Sequence, residues 1–260
     1  MRLALFRSLM PALVCSCLLP LVCHGEVPDT IERVKRSIVA VGTFQQLRSP
    51  QFAFRGTGFV VGDGSLIATN AHVLPPKLDS ARKERLVIAL PATEGSNQGQ
   101  ARQARAIATD REYDLALLRI EGPPLAALAL GTTATVREGA SLLFTGFPIG
   151  PVLGLFPATH RAMVSALTPI TMPARSAREL SARALTQLAG GPYKVLQLDA
   201  TAYPGNSGSP LYEPDSGAVV GIINMVFVKG TKESALTQPS GISYAIPVHA
   251  LTELIKTTVK

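Results

Sequence analysis

Twelve short β-forming runs fall into two series of six along this chain, separated by Glu121-Gly122-Pro123-Pro124. The first series is Ile38–Phe44, Gly58–Val61, Leu66–Thr69, Leu86–Leu90, Arg105–Thr109 and Leu115–Ile120. The second is Ser141–Gly146, Thr159–Leu167, Val195–Asp199, Pro210–Tyr212, Ala218–Val228 and Ile242–Ile246. The runs carry β-branched residues and are punctuated by turn chemistry such as Gly62-Asp63-Gly64, the pattern of short antiparallel strands. Six such strands are enough for one small closed barrel. The sequence therefore predicts an all-β chain: two six-stranded antiparallel β-barrels, joined by a linker that reaches to about Glu138, with a cleft at their junction. The first barrel takes residues 26–128 and the second 129–260. With 47% hydrophobic residues, 22 glycines, 20 prolines and no tryptophan, composition suits a turn-rich β protein with a substantial core.

Short helices are expected at both ends. Pro28–Arg36 places Ile31, Val34 and Ile38 at helical spacing, and Asp29 with Glu32 has the form of a capping box. From Pro247 to the end, Leu251, Leu254 and Ile255 share one face of a closing helix. A third helical stretch runs from Ser176 to Gly191. Ser176 and Glu179 form another capping box there, and Gly190 suits a C-terminal cap. It reads either as a surface insertion or as a sensor or lid, since loop insertions are well tolerated.

The first 25 residues read as a secretory signal peptide. Arg2 and Arg7 precede an apolar stretch, Leu9–Val22, and His24-Gly25 offers a small residue for cleavage. An uncleaved anchor is disfavoured, because a span needs ~20 apolar residues; a lipid-modified Cys23 is disfavoured by the bulky Val22 before it. Cys15, Cys17 and Cys23 all lie in this leader. The mature chain is then expected to carry no disulfide, thiolate nucleophile or thiolate metal site, and a periplasmic or secreted location follows. The formal charge is +7, two units of which come from Arg2 and Arg7. Without aromatic residues interleaved among the basic ones, this reads as a solvated basic surface, and no nucleic-acid partner is expected.

The chemistry is concentrated in three places. Pro204-Gly205-Asn206-Ser207-Gly208-Ser209-Pro210 sets a serine in a glycine-rich turn. Such a turn can aim two amide N–H groups at one spot beside a hydroxyl, which is what acyl transfer requires. Upstream, Thr69-Asn70-Ala71-His72-Val73-Leu74 supplies a histidine and Tyr113-Asp114-Leu115-Ala116-Leu117-Leu118 an acid at a strand's mouth. Each has a plainer reading alone: a turn serine, a core histidine, a strand-capping aspartate. Together, in the order His72, Asp114, Ser207, they match one of the three known chain orders of serine hydrolases. His160 and His249 have no such acid motif beside them and read as structural or surface residues.

These segments resemble the trypsin-fold peptidases, and among them the HtrA/Deg family of bacterial envelope proteases. The resemblance rests on Gly56-Thr57-Gly58-Phe59 through His72-Val73, on Asp114 through Leu118, and on Asp199 through Pro210. Gly221-Ile222-Ile223-Asn224 and Gly241 through Pro247 complete it. It implies Ser207 as nucleophile, His72 as general base, Asp114 as its orienting acid, and Gly205 and Ser207 N–H as the oxyanion hole, with Asn206 as the peptide between. Asn206 has no charge to pair with a freshly cut N-terminus, so control by loop ordering is implied instead. The pocket for the residue before the cut falls at Thr201, with Asn224, Met225 and Val226 as its wall. Thr201 is small and uncharged, and the family carries an acid where Asp199 stands without preferring basic residues. A small or medium aliphatic residue before the cut is therefore expected, in protein or peptide substrates. No cofactor, metal or stable membrane anchor is expected; a homo-oligomer through the N-terminal segment is allowed. The few residues after Pro247 leave no room for the PDZ module common in the family, so recognition through one is not expected. A catalytically silent peptide-binding module and an esterase remain the alternatives.

Overall fold

The computed structural model describes residues 26–91, 100–150, 154–170, 193–224 and 241–259. The leader, the 176–190 helix, Met225 and Val226 lie outside the described residues. The first barrel is built from β1 (Ile38–Phe44), β2 (Phe52–Val61), β3 (Leu66–Asn70), β4 (Arg85–Ala89), β5 (Ala101–Asp110) and β6 (Leu115–Ile120). It closes in the order β1-β2-β3-β6-β5-β4. The second uses β7 (Ser141–Gly146), β8 (Ala158–Ile170), β9 (Tyr193–Asp199), β10 (Pro210–Tyr212), β11 (Val219–Asn224) and β12 (Ile242–Pro247). It closes in the order β10-β11-β12-β9-β8-β7. Adding six to each strand of the first ring reproduces the second, and every pairing is antiparallel.

The twelve expected strands are all present, and several run longer than expected. Phe52–Arg55 joins the front of β2, where Phe52, Ala53 and Phe54 pair with β1. A polar stretch, Ala101–Ala104, extends β5 because its partner β4 gives it a ladder. Arg55-Gly56-Thr57 cuts Phe52-Ala53-Phe54 off from the apolar end of β2, and Ala101–Ala104 carries no apolar run, which is why the sequence pattern begins later in both.

Alternation explains why β1, β3 and β6 read as apolar on both faces. Val39, Val41, Ile67, Leu118 and Ile120 join a cluster confined to the first barrel and its flanking segments. Ile38, Ala40, Leu66, Ala68, Leu115 and Leu117 join a second cluster that also takes in Leu143, Phe147, Tyr212, Ile222 and Ile246 of the second barrel. A third cluster, around Phe144, Val164, Leu196, Leu198 and Ile223, belongs to the second barrel. The seam between the barrels is thus a continuous hydrophobic core.

Two helices strap the barrels together in opposite senses. Helix α1 (Val27–Lys35) precedes the first barrel but docks on the turn after β10. Thr30 donates to the Asp215 carbonyl at 3.2 Å and Arg33 to the Ser216 carbonyl at 3.0 Å. The expected capping box is corrected: the N-cap is Glu26, with no side-chain cap, and Asp29 lies inside the first turn. Pro28 permits this earlier start, since proline fits the first helical turn. Helix α2 (Val248–Thr258) follows the second barrel. Leu251 is fully buried, and Leu254 and Ile255 pack on the shared core, as their common face implied.

Glu84 ties the β1–β2 hairpin to β4. Its carboxylate accepts from Thr43 Oγ1 at 2.6 Å, from the Asp79 N–H at 3.0 Å and from Arg48 at 2.8 Å. The Thr43 hydroxyl, then the Asp79 amide, then Arg48 favour the ionised form and lower its pKa from 4.5 to about 2. A carboxyl depressed in the folded state stabilises it above its unfolded pKa and loses that contribution as pH falls. The melting temperature should therefore drop between about pH 4.5 and 2, and Glu84→Gln should flatten that part of the profile. An unchanged slope in the glutamine variant, followed by circular dichroism, would remove Glu84 from the account.

Candidate active site

His72 lies in a short 3-10 turn, Ala71–Val73, directly after β3. Asp114 sits in the turn before β6 with φ +52°, a left-handed conformation that non-glycine residues adopt mainly at special sites. Four bonds hold it there from the motif around the histidine. The Asp114 carbonyl accepts from the Ala71 N–H at 2.9 Å and from Asn70 Nδ2 at 3.1 Å. Its Oδ1 accepts from the His72 backbone N–H at 2.9 Å, and its Oδ2 from His72 Nδ1 at 2.5 Å. With a carboxylate accepting at Nδ1, that nitrogen carries the proton, which in the neutral ring leaves the lone pair on Nε2.

A fifth bond crosses the seam. Asn224, at the end of β11 in the second barrel, donates Nδ2 to Asp114 Oδ2 at 2.8 Å. The sequence places Asn224 in the pocket wall; in the structure its amide reaches the acid. The Asp114 side chain is only 13% exposed and that of His72 32%, so the carboxylate is largely removed from water and satisfied from both barrels. Tyr113 and Tyr193 pack beside it with ring centroids 4.7 Å apart. Burial pushes both phenols' pKa values up.

Ser207 stands in the β9–β10 connection and is 6% exposed. The segment is held by its carbonyls. Pro204 O accepts from the Ile149 N–H at 2.7 Å, Gly205 O from Thr57 Oγ1 at 2.7 Å, Asn206 O from the Ser209 N–H at 3.0 Å, and Ser207 O from the Thr57 N–H at 2.9 Å. The Asn206 and Gly208 amides are also engaged, by Tyr203 O and Ile223 O. Among the described residues, the amides of Gly205 and Ser207 donate to no protein acceptor. Undonated N–H groups of this kind are free to meet an acceptor from outside the chain. Asn206 is wholly buried and uncharged. Gly205 has φ +103°, and a Cβ there would lie 2.2 Å from the Phe147 carbonyl oxygen.

Gly56 lies between Val73 and Ser207. A Cβ on Gly56 would lie 2.7 Å from Val73 Cγ2 and 3.1 Å from the Ser207 carbonyl oxygen, so the residue after His72 and the serine flank one glycine. Thr201 is half-buried in the segment leading to Ser207, and Asp199 is exposed at the end of β9. His160 stacks on Phe144 at 4.8 Å with burial lowering its pKa, and His249 meets Tyr113 edge-on. Neither touches the His72–Asp114 pair. Among the described residues, no group of three or more His, Cys, Asp or Glu side chains is placed to hold a metal ion.

The family described as the trypsin-like peptidase domain matches residues 56–222. Serine protease HTRA2, mitochondrial, from Bos taurus is 32% identical over 239 residues, covering 89% of this chain and 43% of that protein. Serine protease HTRA1A from Danio rerio is 28% identical over 228 residues, covering 86% of this chain and 39% of that protein. The chain thus spans less than half the length of these relatives. The solved structure of an HtrA-type protease, AlgW, with a tripeptide aligns with a TM-score of 0.62 at 22% identity. That alignment covers 91% of this chain and 64% of the other, and shows the same double-barrel fold.

Gly208 tests how tightly this segment is held. Its φ is +87°, and a Cβ would lie 2.1 Å from the Thr57 carbonyl oxygen and 2.5 Å from Thr69 Oγ1. Backbone cannot yield as a side-chain tip can. Gly208→Ala should cost at least the roughly 1–3 kcal/mol of a left-handed non-glycine residue, read as a lower urea midpoint. A wild-type midpoint would mean that the seam gives way locally.

Proposed function

Because the chain belongs to the trypsin-like peptidase family, with HtrA serine proteases among its relatives, we propose that it is a serine endopeptidase. The reading is carried by the His72 Nδ1–Asp114 Oδ2 hydrogen bond. Held at Nδ1, the imidazole presents Nε2 as a base. Ser207 Oγ attacks the substrate carbonyl while His72 takes its proton. His72 then returns that proton to the leaving amine, and a water repeats the cycle on the acyl-enzyme. Asp114 fixes the tautomer and stabilises the imidazolium. The Gly205 and Ser207 amides receive the oxyanion.

Substrates are extended or unfolded polypeptides, bound with a small or medium aliphatic residue before the cut. The uncharged Thr201 supports this, since it offers a Lys or Arg side chain no counter-ion. Arg2, Arg7 and the apolar Leu9–Val22 stretch support export, with cleavage near Gly25 and a periplasmic or secreted mature enzyme.

Digestion of unfolded casein by the mature protein tests the reaction, with Ser207→Ala as the inactive control. An active-site-serine probe should label the wild type and not that variant. Failure of the wild type both to cut and to be labelled would return the chain to a peptide-binding role. A peptide-library digest reads the preference, and predominant cleavage after Arg or Lys would overturn it. Asn224→Ala removes one hydrogen bond from a carboxylate, an interaction of about 1.5–3 kcal/mol. It should lower kcat about tenfold or more while His72→Ala and Asp114→Ala cost far more. Full activity in Asn224→Ala would show the first barrel alone suffices to hold the acid.

A further inference from the structure

Thr57 belongs to β2 of the first barrel and is wholly buried, yet most of its hydrogen bonds reach the second. Its N–H donates to Ser207 O at 2.9 Å. Its hydroxyl donates to Gly205 O at 2.7 Å and accepts from the Phe147 N–H at 3.0 Å. Its own carbonyl accepts from Thr69 Oγ1 at 2.7 Å, at the head of the motif that carries His72. One residue therefore meets the nucleophile, the proposed oxyanion site and the strand leading to the base.

The hydroxyl is directional. A backbone N–H can only donate and a carbonyl only accept, so one of the hydroxyl's lone pairs takes the Phe147 N–H and its single hydrogen goes to Gly205 O. Peptide groups are planar, with C=O and N–H pointing in opposite directions, so holding a carbonyl also aims the amide of its own unit. The Gly205–Asn206 peptide is clamped at both ends, by Thr57 Oγ1 on the oxygen and by Tyr203 O on the amide. The next peptide carries the Ser207 N–H. Its own oxygen, Asn206 O, accepts from the Ser209 N–H, and the carbonyls on either side of it, Gly205 O and Ser207 O, are both held by Thr57.

We propose that Thr57 is a positioning residue for acyl transfer: its hydroxyl and amide fix the peptides on either side of the one that carries the Ser207 N–H, and so set where that amide lies relative to the substrate oxyanion. This rests on the serine-peptidase reading above. A hydrophobic isostere would leave Gly205 O and the Phe147 N–H unpaired, and the Gly205–Asn206 peptide, which leads into the one carrying the Ser207 N–H, would lose the bond on its oxygen. Substrate binding elsewhere in the cleft does not use this contact, so the loss should fall on the transition state.

Thr57→Val, Thr57→Ala and Thr57→Ser separate positioning from packing. With a fluorogenic peptide cut by the wild type, valine and alanine should lower kcat by about 10²-fold, the scale of losing one oxyanion donor, with KM little changed. Affinity for a peptide boronic acid, which mimics the tetrahedral state, should fall in parallel. Serine, which keeps the hydroxyl, should restore most of both, and circular dichroism should show all three folded at the assay temperature. Wild-type kcat in valine and alanine, a loss confined to KM, or a serine variant as impaired as valine would each overturn the proposal. So would failure of both valine and alanine to fold, which would make the hydroxyl a requirement of the fold. An inactive wild type would overturn the peptidase reading instead, and this proposal with it.

Discussion

A carboxylate at the seam of two barrels is the constraint that the rest of this structure answers. Asp114 is largely out of water, where an unpaired charge would cost several kcal/mol. It is held by His72 from its own barrel and by Asn224 from the other. Neither barrel alone supplies the full set of donors. Docking the barrels therefore stabilises the charge, and the charge in turn favours one relative placement of His72 and β11. The left-handed backbone of Asp114 is maintained by the bonds from Asn70 and Ala71 to its carbonyl. Strain of this kind persists only where neighbours over-determine it.

That placement requires a seam that does not slide. Among the described residues no cysteine is available to fix it, and the work falls to apolar packing. Phe59, Leu115 and Leu117 of one barrel share a cluster with Phe147, Tyr212 and Ile222 of the other. Burial is non-directional, so it gives adhesion without register. Register comes from directional contacts laid over it. Helix α1 is bonded to the turn after β10, Thr57 is bonded across the seam, and α2 returns its apolar face to the shared core.

Much of this was legible in the residues because apolar runs and turn glycines are local signals. Two groups of six strands, the break at Glu121–Pro124 and the three polar residues set at strand ends each announce themselves within a short window. What escaped was non-local. Asn224 carries the same identity whether it lines a pocket or reaches an acid 110 residues earlier; only the docking of β11 decides. Thr57 and Thr69 look like ordinary strand residues, since threonine favours strands anyway. The one available hint was positional, as Thr57 stands between two glycines and Thr69 opens the histidine motif. The capping box at Asp29 failed for a different reason. Pro28 and Glu26 offered an earlier start, and the helix took it.

The two amides of the proposed oxyanion site are aimed by different parts of the molecule. The Ser207 amide belongs to the peptide whose oxygen is held by the Ser209 N–H and whose two neighbouring carbonyls are held by Thr57, in a strand with both neighbours paired. The Gly205 amide belongs to the peptide whose oxygen is held by the Ile149 N–H. Ile149 has φ +57°, an outlying conformation for a β-branched residue. The next residue, Gly150, also has positive φ, and a Cβ there would lie 2.4 Å from the Phe54 ring. Phe54 is in β2, three residues before Thr57. One strand of the first barrel thus supports both halves: Thr57 directly, and Phe54 by closing over the strained Ile149–Gly150 turn. The halves are not equally secure. A barrel strand opens only with the barrel, whereas a strained turn sits above its relaxed conformation by roughly 1–3 kcal/mol. The Gly205 half is therefore the one whose geometry yields first when Phe54 packing is weakened.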